Sequence, residues 1–123
     1  MPLEIIAELH PQHGGDRGTM REMIRQAKLN GASVAKFQLY DSVAYLGSPD
    51  WKYLEATEAD VAQLFAWCEQ EEIEFMASVF DQERLRWCEH IGVRRHKIAS
   101  RVIKMYPTLC EEILATGKET LVS

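Results

Sequence analysis

The sequence is short of the residues that build several common kinds of protein. Its 123 residues include 3 cysteines, 4 prolines and 7 glycines. Cys68, Cys88 and Cys110 are odd in number, widely separated and without a CxxC pair, which excludes a disulfide framework and a cysteine-based zinc site. Each falls in a stretch with helical spacing, so they read as buried free thiols in a reducing compartment, and the protein as cytoplasmic. No apolar run approaches the ~18 residues of a membrane span. The start, Met1-Pro2-Leu3-Glu4, shows no cationic stretch followed by a long apolar one, so nothing there reads as a secretory signal. An excess of positive charge is missing too: the net charge is −5, which argues against a nucleic-acid or anionic-membrane partner. Arg84, Arg86, Arg94, Arg95 and Lys97 cluster locally, but acids are interleaved and the group reads as a solvated face. Neither GxGxxG nor GxxxxGK[ST] occurs, which removes the common nucleotide-binding loops. No linker or low-complexity tract divides the chain, so residues 1–123 read as one domain.

What is present is an ordinary hydrophobic fraction of 46%, arranged with a regular rhythm. Five short apolar runs have strand length and strand composition: Glu4 to Leu9, Ser33 to Tyr40, Ile73 to Phe80, His96 to Ser100 and Glu119 to Ser123. Four helical stretches lie between them. The first, from about Arg17 to Asn30, puts Met20, Met23, Ile24 and Ala27 on one face, with Gly31 placed for a left-handed cap. The second begins near Thr57, whose hydroxyl is positioned to cap the Asp60 amide, and its stripe is Val61, Leu64, Phe65 and Cys68. The third spans about Gln82 to His90 and stops at Gly92. The fourth starts at Pro107 and runs to Gly117. Alternation of this kind predicts an α/β fold of parallel strands joined by crossovers, either an open sheet or part of a closed barrel. The longest connection, about Asp41 to Ala56, is either a lid or a surface loop with Trp51 and Leu54 tucked beneath it.

Polar residues that are costly to bury fall late in the apolar runs. Glu8 closes the first, Lys36 and Gln38 lie in the second, Ser78 is near the end of the third, Lys97 and Ser100 occupy the fourth, and Ser123 ends the fifth. Ligands of α/β proteins gather at these carboxyl ends. Alternation puts Val34, Lys36 and Gln38 on one face and Ala35, Phe37 and Leu39 on the other. A lysine among such neighbours needs an anion, either a ligand or Glu8. Two lysines with several hydroxyls suit a small ligand bearing phosphate and carboxylate. Glu8, His10 and His13 form an E-x-H-x-x-H string: either a metal site or a carboxylate facing a substrate hydroxyl, with the histidines orienting the loop.

Together these strings resemble the N-acetylneuraminate (sialic acid) synthase family. IIAELHPQHGGD is similar to that family's AE-x-G-x-NH-x-G opening, AKFQLY to its VKFQ strand, IEFMASVFD to F-x-STPFD, HKIAS to KI-x-S, and ATGKETLVS to GKP-x-x-x-S. The resemblance implies about four and a half βα units of a (β/α)₈ TIM-type barrel, and condensation of phosphoenolpyruvate with an N-acyl-hexosamine such as N-acetylmannosamine, releasing phosphate. It implies that Lys36, Ser78, Lys97, Ser100 and Ser123 contact phosphoenolpyruvate, that Gln38 approaches the sugar, and that Glu8 is catalytic. It also implies a divalent metal, Mn or Mg, whose ligands are not in this chain. His10 stands where the family has glycine, and Arg101-Val102 where it has Gly-Glu. A barrel of this type needs about 250 residues, so the chain alone is expected to be incomplete. A homo-oligomer covering the open barrel edges and apolar inner face is therefore expected. The alternative is a non-catalytic module that keeps the phosphoenolpyruvate or sugar-phosphate half-site.

Overall fold

Five parallel strands form a single sheet in the order β1-β2-β3-β4-β5. The computed structural model describes residues 3–123; Met1 and Pro2, part of the start read above as lacking a signal, lie outside the described residues. Strands β1 (Ile6–Glu8), β2 (Val34–Leu39), β3 (Glu74–Val79), β4 (His96–Ile98) and β5 (Thr120–Val122) alternate with helices. Helix α1 (Arg17–Leu29) follows β1, and α2 (Ser42–Leu46), a 3₁₀ segment (Pro49–Leu54) and α3 (Glu58–Gln70) follow β2. Helix α4 (Gln82–Ile91) follows β3, while α5 (Ser100–Met105) and α6 (Pro107–Ala115) join β4 to β5. A doubly wound sheet would reverse its strand order at a switch point. Sequential order without reversal is the topology of a barrel, here four and a half βα units of one.

Local chemistry explains where the helices start and stop. Asp16, Asp41 and Asp81 end the segments leaving β1, β2 and β3, and their carboxylates accept from Gly18 N (3.1 Å), Ala44 N (3.0 Å) and Arg84 N (2.8 Å). Thr57 and Asp60 form the reciprocal cap expected of α3, at 3.2 and 2.8 Å. Helix α1 ends as foreseen at Gly31, whose φ of +97° lets Ala32 N donate to Ala27 O at 2.9 Å. Its apolar stripe is buried at Met20 and Ile24, each contributing roughly 1.5–3 kcal/mol.

Strand alternation sorts the side chains as the sequence implied. Ala35, Phe37 and Leu39 join the core between sheet and helices, together with Phe75, Ala77 and Val79. The opposite face is layered. Glu4, Glu74, Arg95 and Glu119 make a polar floor at the amino ends of the strands. Val34 and Met76 lie above it, and Glu8, Lys36, Gln38, Ser78, Lys97 and Ser123 make a polar mouth.

Several expectations need correction. The fourth strand ends at Ile98, so Ser100 opens α5 instead of closing a strand. Six residues with Val102 as the only buried one are too few to show helical periodicity, which is why α5 was not legible. Arg84 and Arg95 are buried, not solvated: Arg84 stacks on Trp87 at 4.8 Å and pairs with Asp81, while Arg95 is held by carboxylates of the floor. Leu54 is buried but Trp51 is exposed. The connection after β2 has structure of its own, closed on itself where Ser42 N donates to Glu55 Oε2 at 3.1 Å. The inner face is not an open apolar surface either, because Val34 and Met76 are fully buried; on the edge strands, Ile6 and Val122 are exposed.

Candidate functional site

The mouth is built by the carboxyl ends of all five strands. Register brings Glu8 beside Lys36, Gln38 beside Ser78, Ser78 beside Lys97, and Lys97 beside Leu121. Lys36, buried to 9% exposure, forms a direct ion pair with Glu8. The ligand-free answer to its burial is therefore the carboxylate that sequence reasoning named as one of two partners. Lys97 donates to the Ser123 hydroxyl and, at 3.4 Å, to the Ile98 carbonyl.

Charge at the mouth does not balance. Lys36 and Lys97 bring two ammonium groups and Glu8 one carboxylate, so the three sum to +1. Burial, and after it the proximity of Lys36, pulls the Lys97 ammonium below its ordinary pKa, with Glu8 opposing. The Ser78 hydroxyl is buried between these groups and has no hydrogen-bond partner among the described residues. Unpaired buried hydroxyls are uncommon and costly. Together the excess cation and the free hydroxyl describe a receptor for a small anion. Ser100 is exposed at the first position of α5, three residues after Lys97, and Gln38 is half-buried.

Behind the mouth, the β1–α1 loop is pinned from two sides. Gly15 packs so closely on the 3₁₀ segment that a Cβ there would lie 1.9 Å from the Tyr53 carbonyl oxygen, and its φ is +78°, so only glycine fits. The His13 and His10 rings are buried in the same loop, with 3.1 Å between His13 Nε2 and His10 Nδ1. His13 Nδ1 accepts from Gly15 N at 2.9 Å, and His10 Nε2 lies 2.9 Å from the Tyr40 hydroxyl. Burial pushes His10 down to about 4 and lowers His13 as well. The His10 amide in turn donates to Glu8 Oε1 at 3.2 Å. The metal reading of the E-x-H-x-x-H string is thereby corrected, since all four imidazole nitrogens are already hydrogen-bonded. Among the described residues no group of three or more His, Cys, Asp and Glu side chains is arranged to hold a metal ion.

Arg101, flagged as a departure beside Ser100, is drawn across to α2. It donates to the Tyr45 carbonyl at 3.2 Å and lies 4.4 Å from the centre of that ring. Sequence reasoning missed Tyr40, whose only signal was an aromatic residue at the end of an apolar run. It also missed Arg95, which looked like one more charge in a basic cluster. Among the described residues no helix is long and apolar enough to cross a membrane.

With this geometry in place, comparison with known proteins is informative. The model of the NeuB family matches residues 50–123. An N-acetylneuraminate-9-phosphate synthase of Drosophila melanogaster is 28% identical over 142 residues, covering 95% of this chain and 38% of that protein. An N,N'-diacetyllegionaminic acid synthase of Legionella pneumophila is 30% identical over 124 residues, covering 85% of this chain and 35% of its own. The crystal structure of an N-acetylneuraminic acid synthetase from Leptospira borgpetersenii, in complex with citrate, superposes with a TM-score of 0.92 at 31% identity, over 99% of this chain and 44% of that one. The chain thus spans less than half the length of each of these relatives.

Proposed function

The chain belongs to the NeuB family, and on that premise we propose that it carries the phosphoenolpyruvate-binding part of a sugar-acid synthase site, which condenses phosphoenolpyruvate with an N-acyl-hexosamine such as N-acetylmannosamine. The observation that carries this reading is the unbalanced mouth: two lysines against one carboxylate, around a buried hydroxyl with no partner.

In this reading Lys36 and Lys97 neutralise the phosphate and carboxylate of phosphoenolpyruvate, and Ser78, Ser100 and Ser123 direct hydrogen bonds to their oxygens. Gln38 faces the sugar, and Glu8 stands by the reacting carbons. The C2=C3 π pair of phosphoenolpyruvate forms a bond from C3 to the aldehyde carbon of the sugar, while the C=O π pair moves to the aldehyde oxygen, which takes the proton released when water adds at C2. Water then adds at C2, the C2–O bond breaks, and phosphate leaves with its negative charge stabilised by the two ammonium groups. Among the described residues, Glu8 is the side-chain carboxylate of the mouth placed to accept a proton there. A divalent metal, expected from the family resemblance, finds no fitting donor set among the described residues, and no step assigned to these residues uses it.

Titration calorimetry of the purified chain with phosphoenolpyruvate tests the proposal. Binding is expected, and the paired change Lys36→Ala with Lys97→Ala should abolish it. A folded wild-type chain that takes up no phosphoenolpyruvate overturns the claim of a site formed within these residues. A second reading, a non-catalytic module binding the same anion, is favoured by Arg101, which ties α5 to α2 beside Ser100. It predicts binding without release of phosphate when the sugar is added.

Two further elements belong to the proposal. The exposed apolar groups of the edge strands, Ile6 and Val122, are covered by self-association. A clean monomer on gel filtration, with no dye-accessible apolar surface, would contradict this. The compartment is the cytoplasm, where Cys68, Cys88 and Cys110 remain free thiols.

A further inference from the structure

We infer that His10 and His13 are positioning residues for Glu8: a neutral, hydrogen-bonded imidazole pair, anchored on Gly15 and Tyr40, that fixes the carboxylate facing Lys36. The inference rests on the reading of the mouth as a phosphoenolpyruvate site.

The hydrogen bonds leave one assignment of protons. Gly15 N–H donates to His13 Nδ1 at 2.9 Å, so that nitrogen is bare and the His13 proton sits on Nε2. Nε2 lies 3.1 Å from His10 Nδ1, which must accept, so the His10 proton is on its own Nε2. That proton is donated to the Tyr40 hydroxyl at 2.9 Å. Burial raises the Tyr40 hydroxyl above its ordinary pKa, so it keeps its proton and remains a neutral acceptor. Every imidazole nitrogen is used once. A second proton on either ring would replace an acceptor with a donor and break the chain.

The surroundings support the neutral state. Lys36 faces His10 and Arg17 faces His13, and both oppose a further positive charge. Of the carboxylates around these groups, Glu8 is paired with Lys36, Glu55 with Arg84 and Asp60 with Arg17. Tyr45 and Tyr53 are the remaining titratable neighbours of Tyr40.

The link to Glu8 runs through a single residue. The His10 ring is held at both nitrogens, and the amide of that residue donates to Glu8 Oε1 at 3.2 Å. Fixing the ring fixes the direction of the amide, leaving Oε2 for Lys36. The Glu8 side chain is 39% exposed, so without this anchor only the Lys36 ion pair restrains it. A glycine at position 10, as in the family pattern, has no ring to hold and cannot build this device.

The test compares wild type with His10→Ala, His10→Gln and Tyr40→Phe, using isotope-labelled chain. Long-range imidazole spectra at pH 7.5 should show both rings protonated at Nε2. The Glu8 carboxyl carbon resonance should move in His10→Ala, and phosphoenolpyruvate affinity should fall about tenfold, the order expected when one orienting hydrogen bond is lost. Glutamine offers one donor and one acceptor but takes up no proton, so His10→Gln should recover most of the affinity and flatten the acid side of the binding–pH profile. A proton on Nδ1 of either ring, or a His10→Ala chain whose Glu8 resonance and affinity match wild type, overturns the inference. If wild type binds no phosphoenolpyruvate, the site reading fails, and the Glu8 resonance alone still decides the positioning role. Should His10→Ala not fold, Tyr40→Phe, which removes one oxygen atom, carries the same comparison.

Discussion

Arg95 and Glu4 are 91 residues apart in the chain, yet Arg95 Nη1 donates to Glu4 Oε2 at 3.2 Å. Strands lie ~4.8 Å apart, so three steps of a flat sheet would separate the starts of β1 and β4 by about 14 Å. The contact exists because the sheet curls. The same guanidinium makes a two-pronged contact with Glu74, at 3.0 and 2.8 Å, and reaches Glu119 at 3.5 Å, so one side chain gathers β1, β3 and β5 under the floor.

Replacing Arg95 should therefore cost more than an ordinary ion pair. Glu74 is mostly buried and would be left with only the exposed Arg94, 3.7 Å away, a loss of about 3 kcal/mol. Urea unfolding of Arg95→Met should show that drop, and Arg95→Lys should restore only part of it because an ammonium cannot reproduce the planar fork. A midpoint for Arg95→Met equal to wild type would show that the floor does not hold the curl.

Stability should depend on pH through the buried histidines. His10, His13 and His96 all have lowered pKa values, chiefly from burial, so below about 6.5 the unfolded chain binds more protons than the folded one. Their contribution is complete above pH 6.5 and is lost as pH falls, with His10 titrating in the folded state at about 4. Glu4, Asp60 and Glu89, whose pKa values are lowered in the folded state, act in the same direction at lower pH. Unfolding free energies at half-unit steps from pH 7.5 to 4.5 should stay level down to about pH 6.5 and decline below it. A flat profile between 7 and 5 would mean that the imidazoles are not buried as neutral groups.

The cysteines should separate by reactivity. Burial pushes the thiols of Cys68 and Cys88 up to about 12, so almost no thiolate is present at pH 8. Cys110 is only half-buried. A thiol reagent should label Cys110 alone in the folded chain and all three in urea; fast labelling of Cys88 without denaturant would contradict the packing of α4.

Ser78→Ala should uncouple stability from binding. Its hydroxyl is buried without a partner, so removing it should leave stability unchanged or raise it by about 1 kcal/mol. Phosphoenolpyruvate affinity should fall roughly five- to tenfold, since the ligand loses a hydrogen bond. Lower stability with unchanged affinity would show that the hydroxyl serves the fold and not the site.

Much of this was legible in the chain, and for identifiable reasons. Lys36 and Gln38 could be placed on one face because strand alternation has a period of two, and the pairing of Lys36 with Glu8 was one of two stated options. Thr57 and Gly31 could be assigned as caps because capping is settled within a few residues of sequence. Helix α5 was hidden because six residues carry no periodicity, and its hydroxyl-bearing Ser100 was consequently placed at the end of a strand.

The sequence by itself determined the order of the strands and the longer helices, the termini of those helices, and which residues of β2 share a face, since each depends on neighbours within about one turn or two strand positions. Tertiary structure alone decided that Arg84 and Arg95 are buried, that Lys97 meets Ser123, and that two histidines close a hydrogen-bonded chain on Tyr40. Most of those relationships join residues tens of positions apart, and they arise only when the strands assemble and bring their ends together. Local periodicity records which way a side chain points, not what the curl will bring to meet it.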